Sequence, residues 1–189
     1  MDAEFSEFFR AHAAYVAESL RRLGVAPADA EDMTHEVFLA VHRRFSDYDR
    51  VRSGKPWLFA FAIRIASNYR QRSSFRSEVL GSSGDDPEIA DSRPDVLAKL
   101  EQDAARKQVH DALLALPLER RTVFIMYELD QRNMTGIAKE LSIPLATAYS
   151  RLRIGRDEFA AAVRRLEVES TRPRFTPPSR RPSPLGKPS

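Results

Sequence analysis

The chain contains 189 residues, of which 30% are charged and none is cysteine, and its formal net charge is +3. Without cysteine it can form neither a disulfide framework nor a thiolate metal site. It lacks an apolar run of the ~20 residues needed to cross a bilayer, and its acidic first residues differ from the basic start of a signal peptide. The length suits one or two small domains. These features predict a cytoplasmic protein without membrane insertion.

The first predicted helix begins near Phe5 and ends at Leu23. Its aromatic and aliphatic residues recur at helical spacing, and Gly24 provides a stop signal. Pro27 then begins a second helix, whose acidic residues lie at the positive end of the helix dipole and whose arginines lie at the negative end. The predicted core face of this second helix contains Ala30, Val37, Val41 and Phe45.

The opposite face of the second helix is polar except for one leucine. Its predicted members are Asp32, His35, Glu36, Leu39 and Arg43. An exposed leucine can be incidental, because many leucines lie at protein surfaces, or it can be the centre of a protein contact. The residues alone leave both interpretations of Leu39 open.

A third helix is predicted to begin at Pro56, after a loop that contains Tyr48, Arg52 and Lys55. Trp57 is interpreted as a core anchor. Tyr48, beside a basic loop, can serve either the core or the stacking of unpaired bases. The helix ends in an acid-free stretch, residues 64–77, which indicates a basic surface. The basic residues of that stretch are Arg64, Arg70, Arg72 and Arg76.

Two segments lack the composition of a packed core. Residues 77–96 combine glycine and proline with six acidic residues, which is typical of a flexible acidic linker. Residues 169–189 are rich in proline and contain five basic residues, and we expect a disordered tail there. Without those five basic residues the formal charge of the chain would be −2. The sequence thus predicts two helical domains, at 1–76 and 97–168.

The most informative pattern lies in residues 134–156, which predict a helix, a tight turn and a second helix. The apolar positions at helical spacing are Ile137, Ala138, Leu141, Ala148, Leu152 and Phe159. A break at 142–144 separates the helices, because Pro144 cannot continue the first helix and suits the start of the second. This helix-turn-helix pattern predicts DNA binding. The outward residues suited to phosphates and base edges are Thr147, Tyr149, Ser150, Arg151, Arg153 and Arg156.

The residues do not favour an enzyme. The four histidines show no metal-binding spacing, and no glycine loop for phosphate is present. We therefore predict a protein without catalytic activity, cofactor or metal. One alternative is a dimeric helix-turn-helix transcriptional regulator, which would leave the basic stretch at 64–76 unexplained. Another is a protein-interaction adaptor, which would leave the arginine-rich second helix unexplained.

Three ordered segments resemble one family of bacterial proteins. They are DAEDMTHEVFLAVHRRF, KPWLFAFAIRIASNYRQR and ALLALPLERRTVFIMYELDQRNMTGIAKELSIPLATAYSRLRIGR. The chain resembles an extracytoplasmic-function (group 4) sigma factor of the sigma-70 family over residues 5–76 and 97–165. The resemblance implies an all-α protein whose sigma region 2 and region 4 domains direct RNA polymerase to promoters for transcription initiation. The lack of a further helical domain between them is typical of group 4.

The resemblance also implies roles for residues of the first domain. One set docks on the clamp helices of the polymerase beta-prime subunit and comprises Asp32, His35, Glu36, Leu39 and Arg43. A second set melts and reads the minus-10 element, with one base flipped out of the stack, and comprises Tyr48, Arg52, Lys55, Arg64, Asn68, Arg70 and Arg72. The docking role would explain an outward Leu39.

For the second domain, the resemblance implies that the outward residues of the recognition helix enter the major groove at the minus-35 element. It also implies contact with the polymerase beta flap and control by an anti-sigma factor. Two departures from the family pattern affect promoter choice: Arg64 stands where many members have asparagine, and Tyr149 stands where many have lysine or arginine. A third departure lies in the turn, where Ser142 stands in place of the usual glycine. His35 replaces a frequent glutamine, and Ala148 a β-branched residue. The family's promoter sequence therefore does not transfer to this chain.

Promoter geometry limits how the two domains work. Elements about two and a half DNA turns apart are separated by about 85 Å, at ~34 Å per turn. A flexible linker of about 25 residues has a root-mean-square span of only about 30 Å. The free domains would therefore rarely sit at promoter spacing. We predict that polymerase holds them apart and that the isolated chain binds promoter DNA weakly.

Overall fold

The computed structural model describes residues 3–51, 53–80 and 96–171, with side chains at 3–51, 53–73 and 103–169. This part of the chain is helical and contains no strand, which confirms the predicted all-α class. The helices are α1 (Ala3–Leu23), α2 (Ala30–His42), α3 (Gly54–Leu80), α4 (Val96–Leu114), α5 (Leu118–Phe124), α6 (Met134–Glu140) and α7 (Leu145–Thr171). Most of the predicted linker, nearly all of the predicted tail, and Arg52 lie outside the described residues.

Helices α1, α2 and α3 pack together as a first unit. Gly24 ends α1 in the left-handed region, at φ 102°, as a C-terminal glycine should. Three predicted core residues of α2, Ala30, Val37 and Val41, are buried, and the fourth, Phe45, packs partly buried against the same core. Phe38 and Thr34 are buried as well; the Thr34 hydroxyl donates to the Ala30 carbonyl at 2.7 Å, which satisfies its polar group.

Helix bounds in the first unit differ from the sequence expectation at two places. Pro27 begins a short 3₁₀ turn, Pro27–Asp29, and α2 follows it at Ala30. Helix α3 begins at Gly54, two residues before Pro56, and extends to Leu80. Pro56 is compatible with this early start because the backbone amides of the first helical turn donate no hydrogen bond within the helix, so the missing amide hydrogen of proline costs nothing there.

Helices α4 to α7 form the second unit, whose core lies between α7 and the other three helices. The predicted helix-turn-helix is confirmed: α6 ends at Glu140, α7 begins at Leu145, and Ile137, Ala148 and Leu152 are buried between them. A π-helical turn, Ile125–Leu129, follows α5. The Asn133 side chain caps α6 by accepting from the Gly136 amide at 2.7 Å.

Ser142 occupies the turn between α6 and α7 with φ 53°. This is the left-handed region, which favours glycine because a Cβ atom there crowds the backbone. The observed φ explains why glycine suits this turn. Ser142 adopts the same conformation at the steric cost of its Cβ atom.

The two units touch each other. The buried Arg121 of α5 donates from Nη1 to the carbonyl of Leu23, the last residue of α1, at 2.9 Å. Tyr15 of α1 also donates to Asp130, which follows the π-helical turn, over a long 3.4 Å. Contacts between α1 and both α4 and α5 accompany these bonds. The described residues thus form a closed arrangement rather than two separate bodies.

Candidate nucleic-acid and polymerase interfaces

The outward face of α2 is where the polymerase-docking residues were predicted. Asp32, His35 and Arg43 are exposed, and Glu36 is half-exposed. Leu39 is 62% exposed, while Val37 and Val41 on the other side of the helix are fully buried. The structure therefore places Leu39 outside the core, as a single large apolar side chain surrounded by charged and polar neighbours. Such an arrangement fits the centre of a protein contact with a polar rim.

Helix α3 carries the predicted basic surface. Arg64, Asn68, Arg70 and Arg72 are all exposed. At 100° per residue, Arg64, Asn68 and Arg72 lie within one face of the helix, whereas Arg70 lies about 120° away from Arg64. Burial lowers the pKa of Arg121 in α5, and the charge of Arg70 lowers it further, which indicates that Arg70 lies on the side of α3 toward the second unit. The structure thus brings three of these four residues together and separates the fourth.

Arg72 connects the two predicted surfaces of the first unit. Its Nη1 lies 3.9 Å from Glu36 Oε1 of the docking face, with the two side chains 67% and 42% exposed. At this exposure the ion pair is screened by water and contributes little to stability. The pair shows that the outward face of α2 and the basic face of α3 are adjacent on the same side of the unit.

Tyr48 belongs to an aromatic cluster next to α3. Its ring stacks on Trp57, with centroids 5.1 Å apart and planes 24° apart, and also contacts Phe8 and Phe45. Trp57 is partly buried and packs against the core, which agrees with its interpretation as an anchor. Trp57 and Phe45 thus both lie nearly parallel to the Tyr48 ring, and half-burial leaves part of the ring accessible. Lys55 is exposed beside this cluster, with its Nζ 5.4 Å from the Tyr15 ring centre.

The recognition helix α7 presents its predicted residues unequally. Tyr149, at 56% exposure, Ser150 and Arg153 are fully outward. Thr147 and Arg151 are half-exposed and line a surface cavity with Pro117 and Arg120 at the start of α5. Glu119 also lines this cavity, and the guanidinium of Arg120 bonds to Glu158, so the cavity is not uniformly basic.

Arg156 is held inside its own unit. Its Nε donates to Glu128 Oε1 at 2.7 Å, and its guanidinium lies 5.4 Å from the ring centre of Tyr127. Arg153 lies 3.8 Å from Asp157 in a pair that is about three-quarters exposed. Glu128 partly neutralises Arg156, so Arg153 is the freer of these two positive charges.

The sequence prediction missed Arg121, which is only 3% exposed. Besides its bond to Leu23, its Nη2 donates to the carbonyls of Leu114 and Leu116, at 2.6 and 2.8 Å. Burial lowers the pKa of Arg121 to about 10, with a further contribution from Arg70. The available signal was its helical spacing: Arg121 stands three residues after Leu118 and four before Ile125, within an otherwise apolar stripe.

Two further observations concern the described residues. In the ranges with placed side chains, no group of three histidine, aspartate or glutamate residues is arranged to hold a metal ion. None of the helices within the same ranges combines the length and apolarity that a membrane span requires.

An all-helical protein with an arginine-bearing helix-turn-helix in one unit and a basic helix in the other has the features of a helix-turn-helix DNA-binding protein. Comparison with known families makes this specific. A family model described as Sigma-70 region 2 matches residues 8–76, and one described as Sigma-70, region 4 matches residues 106–158. Together they cover more than half of the chain, which belongs to the sigma-70 family of RNA polymerase sigma factors, within the extracytoplasmic-function group.

Curated relatives agree with this assignment. The chain is 23% identical to the RNA polymerase sigma factor NccH of Alcaligenes xylosoxydans xylosoxydans over 87% of this chain and 89% of the relative. It is 28% identical to the ECF RNA polymerase sigma factor SigE of Mycolicibacterium smegmatis, over 82% of this chain and 59% of the relative. It is 24% identical to the ECF RNA polymerase sigma factor SigW of Bacillus subtilis, over 73% and 77%.

Solved structures share the fold. A sigma factor RpoE in complex with the anti-sigma factor NepR from Bartonella quintana matches with a TM-score of 0.66 and 15% identity, over 86% of this chain and 98% of that one. CnrH in complex with the cytosolic domain of CnrY matches with a TM-score of 0.55 and 17% identity, over 89% of both chains.

Proposed function

We propose that this chain binds core RNA polymerase and directs it to promoters by recognising minus-10 and minus-35 elements, acting as an initiation factor rather than an enzyme. The observation that carries the proposal is the match of both units, in order, to sigma region 2 and region 4. A dimeric helix-turn-helix regulator requires only the second unit and leaves the first unexplained. We place the action in the cytoplasm, where polymerase meets the chromosome.

In this proposal the first unit performs two tasks on adjacent faces. The outward face of α2, centred on Leu39, docks on the beta-prime clamp helices. The face of α3 with Arg64, Asn68 and Arg72, together with Lys55 and the edge of Tyr48, contacts the opened minus-10 strand. Strand opening exposes bases for stacking, and basic side chains follow the phosphates. The Arg72 to Glu36 pair supports the adjacency that coupling of docking to melting requires.

The second unit would place α7 in the major groove at the minus-35 element, with Tyr149 and Ser150 toward the bases and Arg153 toward a phosphate. Thr147 and Arg151 suit a flanking phosphate, whereas the neighbouring Arg120 is bonded to Glu158. The same unit would contact the polymerase beta flap. An anti-sigma factor is a further proposed partner, supported by the two solved sigma factor complexes that share this fold.

The proposal is tested by measuring DNA binding and initiation with and without core polymerase. We expect the purified chain to co-elute with core polymerase and to support initiation from discrete sites on genomic DNA. The isolated chain should bind the same sites weakly, because nothing then holds its units at promoter spacing. Tight binding of the isolated chain to a palindromic site, with no effect on polymerase, would instead favour the dimeric regulator.

The two arginines at the end of the recognition surface should differ in their contribution. Replacing Arg153 with alanine should reduce the slope of log affinity against log salt by about 0.9, the value for one released phosphate contact. Replacing Arg156 should change this slope less, because Glu128 already neutralises part of its charge. The measurement is holoenzyme binding to one mapped promoter over a salt series. Equal slope changes would show that Arg156 leaves Glu128 to bind phosphate.

A further inference from the structure

Helix α1 lies against the loop that joins α2 to α3, residues 43–53, and against the start of α3. The residues of α1 that make these contacts are spaced four, four and three positions apart, so they share one face of the helix. They are Glu4, Phe8, His12 and Tyr15, and we call this face the α1 stripe. The stripe extends over about three turns of α1.

At one end of the stripe, Glu4 binds Arg50 of the loop through two hydrogen bonds. Arg50 Nε donates to Glu4 Oε1, and Arg50 Nη2 donates to Glu4 Oε2 at 3.0 Å. The bond from Arg50 lowers the pKa of Glu4. The Arg50 guanidinium also lies 5.7 Å from the centre of the Phe45 ring, at the other end of the same loop. A guanidinium bound by two parallel bonds is fixed in orientation as well as in distance, so Glu4 limits the conformations of the loop.

In the middle of the stripe, Phe8 contacts Tyr48 of the loop, with ring centroids 4.9 Å apart. Gly54, the first residue of α3, approaches the same part of α1 closely. A Cβ atom at Gly54 would lie 2.8 Å from Phe8 Cε2 and 3.1 Å from His12 Nε2. The absence of a side chain at Gly54 thus allows the end of the loop to pack directly on the stripe.

At the other end of the stripe, the ring of Tyr15 lies beside Lys55, whose Nζ is 5.4 Å from the ring centre. None of the four stripe residues belongs to the predicted minus-10 set. Two of their partners, Tyr48 and Lys55, do belong to it. The stripe therefore contacts the predicted DNA-reading residues from behind rather than adding to them.

We propose that Glu4 is a positioning residue for minus-10 recognition, which acts through Arg50 to hold the loop with Tyr48 and Lys55 toward the opened strand. This inference rests on the proposed sigma function. The side chains of Arg50 and Glu4 are 56% and 55% exposed, so their ion pair contributes little to the stability of the unit. Its effect falls on the loop, because a loop that is already ordered loses less conformational entropy when it binds the strand.

The test removes the charge of Glu4 and then restores the pair in reverse. Glu4→Gln keeps the shape of the side chain, and Glu7→Gln makes the same charge change at an exposed position of the same helix. The double variant Glu4→Arg with Arg50→Glu exchanges the two charges. Removal of an acidic group near DNA should by itself strengthen binding, whereas loss of positioning should weaken strand opening. The direction of the change therefore separates the two effects.

Two measurements follow the loop and its function separately. Trp57 is the only tryptophan of the chain and stacks on Tyr48, so acrylamide quenching of its fluorescence reports the order of the loop in the free chain. Fluorescence of 2-aminopurine placed in the minus-10 element of a mapped promoter reports strand opening by the holoenzyme.

We expect Glu4→Gln to increase quenching of Trp57 and to reduce strand opening by about two- to fivefold, the effect of one exposed ion pair. Glu7→Gln should match the wild type in both measurements. The variant with exchanged charges should recover wild-type behaviour in both. Circular dichroism should show the same helical content in every form.

Unchanged quenching in Glu4→Gln would overturn the positioning of the loop by Glu4. Strand opening by this variant at or above the wild-type level, or an equal loss in Glu7→Gln, would overturn its role in recognition. Failure of every form to bind core polymerase, with the quenching differences intact, would refute the proposed sigma function and with it that role. The contact that orders the loop would then stand alone.

Discussion

Replacing Leu39 with arginine is expected to abolish co-elution of the chain with core RNA polymerase on a sizing column. Leu39 is 62% exposed at the centre of the outward face of α2, so the substitution leaves the core of the first unit unchanged. In a docked complex, the lost apolar contact and the buried unpaired charge should together weaken binding by at least about 3 kcal/mol, or more than about a hundredfold.

Val51→Arg provides the matched control. Val51 is 95% exposed in the same unit but lies outside α2. Its replacement therefore makes the same change, from an apolar side chain to arginine, at a position away from the predicted docking face. We expect this control to co-elute like the wild type. Equal co-elution of the Leu39 variant would show that the polymerase contact lies elsewhere and that the exposed leucine is incidental.

Replacing Arg121 with methionine is expected to lower the free energy of unfolding by about 2–4 kcal/mol. Methionine fills similar space but donates no hydrogen bond, so the carbonyls of Leu23, Leu114 and Leu116 each lose a donor in a largely buried setting. An unsatisfied buried polar group costs about 1–3 kcal/mol, and removal of a buried charge offsets part of the sum. The measurement is urea denaturation followed by circular dichroism.

Arg106→Met serves as the comparison for that experiment. Arg106 is 70% exposed and lies 3.7 Å from Asp103 in an exposed ion pair, so its replacement should change stability by less than about 1 kcal/mol. If the Arg121 variant were equally mild, water would have to replace the guanidinium at the three carbonyls. Such a result would show that the buried arginine contributes little to the free energy of unfolding.

Local patterns explain why much of the fold could be predicted. The spacing of Val37 and Val41 predicted the buried side of α2, and the same helical spacing placed Leu39 on the opposite, exposed side. Such a prediction is possible because helix periodicity depends only on near neighbours. Gly24 and Pro144 marked helix ends through their own backbone preferences. The helix-turn-helix was therefore visible in the sequence before any contact between distant residues was known.

Long-range partners could not be predicted in the same way. Arg121 finds a carbonyl 98 positions earlier in the chain, and Tyr15 meets Asp130 across 115 positions. A charged residue in a helix is ordinarily assigned to solvent; spacing sets Arg121 in an apolar stripe, but only the packed structure shows the carbonyls that it binds. The pairing of Arg156 with Glu128 is also long-range. The sequence therefore predicted Arg151, Arg153 and Arg156 equally as outward residues.

The length of α7 has a consequence for how the second unit meets DNA. Its 27 residues extend about 40 Å, whereas the major groove is about 12 Å wide. Asp157, exposed one turn beyond Arg153, adds negative charge there, and a phosphate backbone would repel it. Contact with the duplex should therefore end within the first three turns. The remaining length, about 25 Å, packs within the second unit, where Phe159 stacks on Phe124 of α5 and Ala162 is buried, so this half of the helix anchors the DNA-facing turns to the core of the unit.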